Sequence, residues 1–205
     1  MVLSKLKVGI IDFGTGNHTS VKSAYESLGY KAIVSSLPDQ LRVCDLLVLP
    51  GVGSFPAAMS NLRRWDLVEY IKEEANLGTP IIGICLGMQL LTTESYEGEY
   101  TSGLNLISGS VLPFDDKAFH IGWNKVNIRE TGHTLNINSE STMYFNHSFI
   151  CNVAKEYSLG TTEFDHEFTA IIAKDNIVGV QFHPEKSQNS GLLFLKNLTK
   201  NLLHA

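Results

Sequence analysis

A chain of 205 residues is long enough for one domain with a substantial core, and 43% hydrophobic with 18% charged residues is the balance of an ordinary folded protein. A formal net charge of −5 with no basic run excludes an electrostatic footprint for nucleic acid. Three widely spaced cysteines, Cys44, Cys85 and Cys151, with no Cys-x-x-Cys, argue against a disulfide framework or a cysteine zinc site and point to a reducing compartment.

The first residues carry Lys5, Lys7 and the terminal amine but no long apolar core, so no signal peptide is expected. Nothing approaches the length of a membrane span, and a cytoplasmic protein without membrane attachment is expected. Val8–Ile11 predicts a buried strand, ended by the glycine turn Asp12–Asn17. That turn lacks the Gly-x-Gly-x-x-Gly spacing, since position 19 is Thr, so no dinucleotide or other cofactor is expected. Thr19 or Ser20 can cap a helix with Val21, Ala24, Tyr25 and Leu28 on one face, closed by Gly29. Ala32–Val34 and Leu46–Leu49 predict two more strands, the second stopped by Pro50-Gly51-Val52-Gly53. Helices follow near Ala57–Leu62 and from Asp66, the latter with Leu67, Val68, Ile71 and Ala75 on one face.

Pro80 opens an apolar run ending in Gly83-Ile84-Cys85-Leu86-Gly87, with a helix-forming segment from Met88 to Leu91 directly after it. A thiol between two glycines at a strand-to-helix junction has the layout of a nucleophile elbow, with Cys in place of Ser. A buried structural cysteine is the alternative. After Thr93 short strand-like runs fill Leu104 to Val180, among them Trp123–Ile128, Met143–Phe145, Phe168–Ala173 and Ile177–Phe182, as expected of antiparallel strands added to a parallel core. Ser187 then caps a last helix carrying Leu192, Leu195, Leu198 and Leu202. The whole predicts a single α/β domain over 1–205: a mostly parallel central sheet flanked by helices, with function at the carboxyl ends of its strands.

A cysteine nucleophile needs a base, and the base an orienting group. His183-Pro184-Glu185 offers both, because a residue before proline is pushed into extended backbone, where residues i and i+2 share a side. An exposed charged pair is the alternative. Peptides of the Pro50–Gly53 turn, with the amide of Leu86, can form an oxyanion hole; a plain turn is the alternative. No metal is expected: His-x-Glu also occurs in zinc deaminases, but the Pro-Cys-x-x-Cys partner they need is absent.

Gly-Ile-Cys-Leu-Gly-Met-Gln-Leu-Leu at 83–91 and Gln-Phe-His-Pro-Glu at 181–185 resemble the class I (triad) glutamine amidotransferases. Pro-Gly-Val-Gly at 50–53, His-Ile-Gly-Trp-Asn at 120–124, Tyr-Phe-Asn-His-Ser-Phe at 144–149 and His-Pro-Glu-Lys-Ser at 183–187 narrow the resemblance to the glutaminase subunits of imidazole glycerol phosphate synthase, in histidine biosynthesis. The resemblance covers nearly the whole chain.

It implies that Cys85 attacks the side-chain amide of L-glutamine, that His183 moves the protons, and that Glu185 orients His183. Val52, Gly53 and Leu86 would form the oxyanion hole. Gln89, Glu97, Ser148 and Phe149 would hold glutamine, although Thr92-Thr93-Glu94-Ser95-Tyr96 departs from the family's more acidic run and leaves Glu94 or Glu99 in play. His147 is open between a pocket residue and a core histidine. The implied partner is a (β/α)₈-barrel cyclase in a heterodimer. It would use the ammonia to make imidazole glycerol phosphate and AICAR, with Trp123 and Lys186 at the interface; core packing and a solvated lysine are their alternatives.

Three other functions compete. A paralogous subunit would supply ammonia for acetamidino-sugar synthesis in surface polysaccharide. A stand-alone cysteine amidohydrolase would need no partner, and a silent binding subunit would need none of the three reactive residues.

Overall fold

A computed structural model of the chain describes residues 6–114, 119–129 and 142–204. Lys5 and parts of the strand-like region from Leu104 to Val180 lie outside the described residues. The first half alternates as its apolar runs predict: β1 (Lys7–Ile11), α1 (His18–Ser27), β2 (Lys31–Ser35), α2 (Pro38–Leu41), β3 (Leu46–Gly51), α3 (Phe55–Arg64), α4 (Leu67–Asn76), β4 (Ile81–Cys85) and α5 (Leu86–Leu90). Short strands then dominate: β5 (Glu94–Ser95), β6 (Thr101–Ser102), β7 (Gly109–Pro113), β8 (His120–Lys125), β9 (Asn127–Ile128), β10 (Thr142–His147), β11 (Phe149–Val153), β12 (Ser158–Phe164), β13 (His166–Lys174) and β14 (Ile177–Val180), before α6 (Gln188–Leu203).

The main sheet runs β2-β1-β3-β4-β14-β13-β11-β7-β5-β6. Its first five strands are mutually parallel, with Gly51 beside Cys85 across β3 and β4. Every residue of β3, β4 and β14 is buried, which is why these runs carry almost no polar side chain. One face packs against α1 and α6 through Val21, Tyr25, Phe194 and Leu198; the other packs against α3, α4 and α5 through Phe55, Leu62, Ile71 and Met88. No helix among the described residues is long and apolar enough to cross a membrane.

Four local expectations need correction. The run ending at Phe182 is antiparallel to β13 but parallel to β4, so it belongs to the parallel core and delivers the following residues to the end of β4. Helix α1 begins after Asn17, two residues before the expected caps, and the Asn17 side chain makes no capping bond because it reaches Glu185 instead. Ser187 stands at the start of α6, yet its hydroxyl donates to the His183 carbonyl at 2.6 Å and accepts from the Tyr144 N–H at 2.9 Å rather than capping. His183 is extended as the following proline requires, but Pro184–Lys186 closes into a 3₁₀ turn, so Glu185 returns to the imidazole by a turn and not along a strand.

Candidate active site

Strand β4 ends on Cys85, whose φ of 54° and ψ of −110° place a non-glycine residue in a strained conformation just before α5. The tightness of this elbow explains its glycines. A Cβ on Gly87 would lie 1.7 Å from the Leu49 carbonyl oxygen, and one on Gly83 would lie 2.7 Å from the Gly87 oxygen. Leu86 then supplies the first N–H of α5, a position whose amides have no partner within a helix.

The parallel pairing of β14 with β4 carries His183 to the same edge. Its Nδ1 lies 2.9 Å from Glu185 Oε1, and both side chains are almost wholly buried. A carboxylate only accepts, so the Nδ1 proton is fixed and Nε2 is left for the sulfur. Burial alone would push His183 down; Cys85, as neighbouring charge and as hydrogen-bond partner, together with Glu185 outweighs it and holds His183 up at about 10. The sulfur also receives the Gln181 Nε2–H at 3.7 Å and lies 3.8 Å from the Asn146 carbonyl oxygen. Asn17 Nδ2 donates to Glu185 Oε1 at 3.2 Å, tying the glycine turn after β1 to the carboxylate.

Above the sulfur opens a cavity of about 250 Å³ lined by Val52, Gly53, Cys85, Leu86, Gln89, Glu97, Asn146, His147, Ser148 and Phe149, with Phe119 at its side. The expected oxyanion residues Val52, Gly53 and Leu86 therefore meet the expected glutamine residues around one thiol. Of the three acidic choices only Glu97 lines this space. Its Oε2 accepts the Phe55 N–H at 2.8 Å, and burial raises its pKa, partly offset by that bond. Glu94 is engaged by the Tyr96 hydroxyl, and Glu99 lines a separate depression with Arg63 and Tyr100.

Trp123 and Lys186 stay outside the cavity. Trp123 is 45% exposed on β8 and meets the Tyr144 ring edge to face at 5.8 Å; the Lys186 ammonium lies 5.9 Å from the centre of the same ring. Exposed Ile121 and Phe119 extend the apolar patch, which excludes the core-packing role for Trp123. Asn17, Asn146 and Gln181 are site residues that the sequence reading missed. Alternation along the strand end, with Gln181 two residues before His183, was a usable signal for one of them; the other two come from turns and backbone groups that carry none.

This elbow, with a cysteine, a carboxylate-oriented histidine and a glycine turn on one sheet edge, is the architecture of an amidotransferase. The chain belongs to the class-I glutamine amidotransferase family, whose model matches residues 9–200. Within that family it is 42% identical to the imidazole glycerol phosphate synthase subunit HisH of Lactococcus lactis, over 93% of this chain and 96% of that one. It is 43% identical to the subunit of the same name from Moorella thermoacetica, over 97% of this chain and 96% of that one, and 45% identical to that from Carboxydothermus hydrogenoformans, over 94% and 98%. Among solved structures the fold is shared with PurLQS from Thermotoga maritima at a TM-score of 0.76 and 20% identity, over 98% of both chains. It is shared also with a glutamine amidotransferase at 0.72 and 16%, over 94% of this chain and 98% of that one.

Proposed function

We propose that the chain is the glutaminase subunit of an imidazole glycerol phosphate synthase. It hydrolyses glutamine and passes the ammonia to a (β/α)₈-barrel cyclase that makes imidazole glycerol phosphate and AICAR in histidine biosynthesis. The observation that carries this reading is the meeting of Cys85, His183 and Glu185 beneath a cavity walled by Gln89, Glu97, Ser148 and Phe149. Relatives at 42–45% identity over nearly the full length carry the matching name.

His183 takes the thiol proton from Cys85 as the sulfur attacks. The thiolate adds to the glutamine Cδ, and the amides of Leu86 and the Val52–Gly53 turn take the charge on oxygen. His183 gives its proton to the departing nitrogen, releasing ammonia and leaving a γ-glutamyl thioester. It then takes a proton from water as that water attacks the thioester, and glutamate leaves. Glu97, the acidic side chain in the pocket, receives the substrate ammonium.

Ammonia is protonated in open water and then has no lone pair for attack, so it must reach the acceptor through a closed passage. The exposed patch of Ile121, Trp123 and Phe119 flanked by Lys186 is where the cyclase docks, an aromatic anchor with a charge beside it. Three free cysteines suit a cytoplasmic setting.

The test is glutamine hydrolysis by the chain bound to its cyclase. Cys85→Ser is expected to abolish hydrolysis while the two chains still co-purify. Undiminished hydrolysis in that variant would refute the mechanism.

A further inference from the structure

His120 and His147 stand opposite each other across the β8–β10 ribbon, with His120 Nδ1 2.9 Å from His147 Nε2. Both rings are buried. Phe145 and Phe164 stack on His120 at 4.7 and 4.3 Å, and Phe168 and Phe114 flank both histidines. Only His147 reaches the cavity.

The proton positions in this pair follow from its surroundings. His147 Nδ1 lies 3.0 Å from the Phe149 carbonyl oxygen, which can only accept, so Nδ1 carries hydrogen. Burial among phenyl rings pushes His147 down to about 3 and lowers His120 as well, so both rings are neutral near pH 7. A neutral His147 with hydrogen on Nδ1 has a bare Nε2, and the hydrogen between the rings therefore belongs to His120 Nδ1. The Phe149 carbonyl accepts a second bond, from Gln89 Nε2 at 3.0 Å. Gln89 Nε2 also donates to Gln181 Oε1 at 3.1 Å, and Gln181 Nε2 donates to the Cys85 sulfur. With the Gln181 Nε2 turned to the sulfur, its Oε1 faces Gln89, and only the Gln89 Nε2 can donate to it. The bonds form one continuous chain from the nucleophile to a histidine that never touches the cavity, with the Phe149 carbonyl accepting from both sides.

We infer that His120 and His147 are positioning residues for glutamine binding: a neutral pair, each with its hydrogen on Nδ1, that sets the Phe149 carbonyl and with it the Asn146–Phe149 wall and the Gln89 side chain. This rests on the glutaminase reading above, because the wall matters only if glutamine occupies the cavity.

The experiment combines nitrogen-15 imidazole spectra of the chain near pH 7 with steady-state glutamine hydrolysis by the chain–cyclase complex. The spectra are expected to show both rings as neutral Nδ1–H tautomers; Nε2–H or imidazolium signals for either ring overturn the proposal whether or not any variant folds. His147→Phe and His120→Phe, which fill the cage without a donor, are expected to raise KM for glutamine about tenfold with kcat changed far less, the ratio one lost buried hydrogen bond converts to. His147→Asn, whose Nδ2 stands where Nδ1 stood, is expected to restore most of that KM. Folded Phe variants with wild-type KM overturn the positioning role, whereas an inactive wild-type complex with the expected spectra fails the glutaminase reading and leaves the hydrogen-bond chain in place.

Discussion

Cys85 holds a conformation that costs a non-glycine residue about 1–3 kcal/mol, and the elbow sustains it because β4 on one side and α5 on the other leave the backbone no alternative. Glu185 works at the same scale by a gentler means: it moves no proton in hydrolysis but fixes which imidazole nitrogen faces the sulfur. Glu185→Gln is therefore expected to reduce kcat about tenfold or more less severely than Cys85→Ala or His183→Ala, measured on folded variants in the cyclase complex. Equal losses from all three would assign Glu185 another part. The sequence makes the three reactive residues legible because each lies in a distinctive short pattern: a thiol between glycines, and a His-Pro-Glu. Asn17 stays hidden, since a polar residue before a helix reads as a cap and nothing local says that its amide is spent on a carboxylate 168 positions away.

Elements, rather than residues, bring the site together. The parallel strands were readable from unbroken apolar runs such as Leu46–Leu49 and Ile81–Ile84. The parallel alignment of β14 with β4 was not, because a four-residue strand after many antiparallel ones carries no sign of its direction. The glycines at the turns distinguish two physical demands. Gly87 lacks room, with a backbone oxygen where its Cβ would be, while Gly53 has open space but a φ of 106°. Gly87→Ala is expected to destabilise by more than about 3 kcal/mol, beyond the usual range for a point change. That corresponds to a fall of about 10 °C in thermal midpoint. Gly53→Ala, strained only in its backbone, should cost far less. Similar midpoints for the two variants by calorimetry would contradict this packing of α5 against β3.

For the whole molecule, two buried histidines tune stability in opposite directions. His183 is held at about 10 against an ordinary 6.5, so its stabilising protonation is present in full below 6.5 and lost as pH rises through 10. His147 is pushed from 6.5 to about 3; unfolding takes up a proton below 6.5, so stability is lost as pH falls toward 3. The thermal midpoint is expected to decline on both sides of a plateau near neutrality, with His183→Ala flattening the alkaline limb and His147→Phe the acid limb. Limbs unchanged in both variants would show that other groups govern the profile. The exposed patch at Trp123 adds a molecular-scale feature that composition could not reveal, because an aromatic on a short strand reads equally as core or surface until the fold gives it a side.

The covalent intermediate offers the most direct test. Acid-quenched turnover of glutamine by the cyclase complex, followed by mass spectrometry of the digested chain, is expected to find a γ-glutamyl thioester on the peptide containing Cys85 and none in Cys85→Ser. Turnover that proceeds in Cys85→Ser, with no adduct on that peptide in the wild type, would contradict the account.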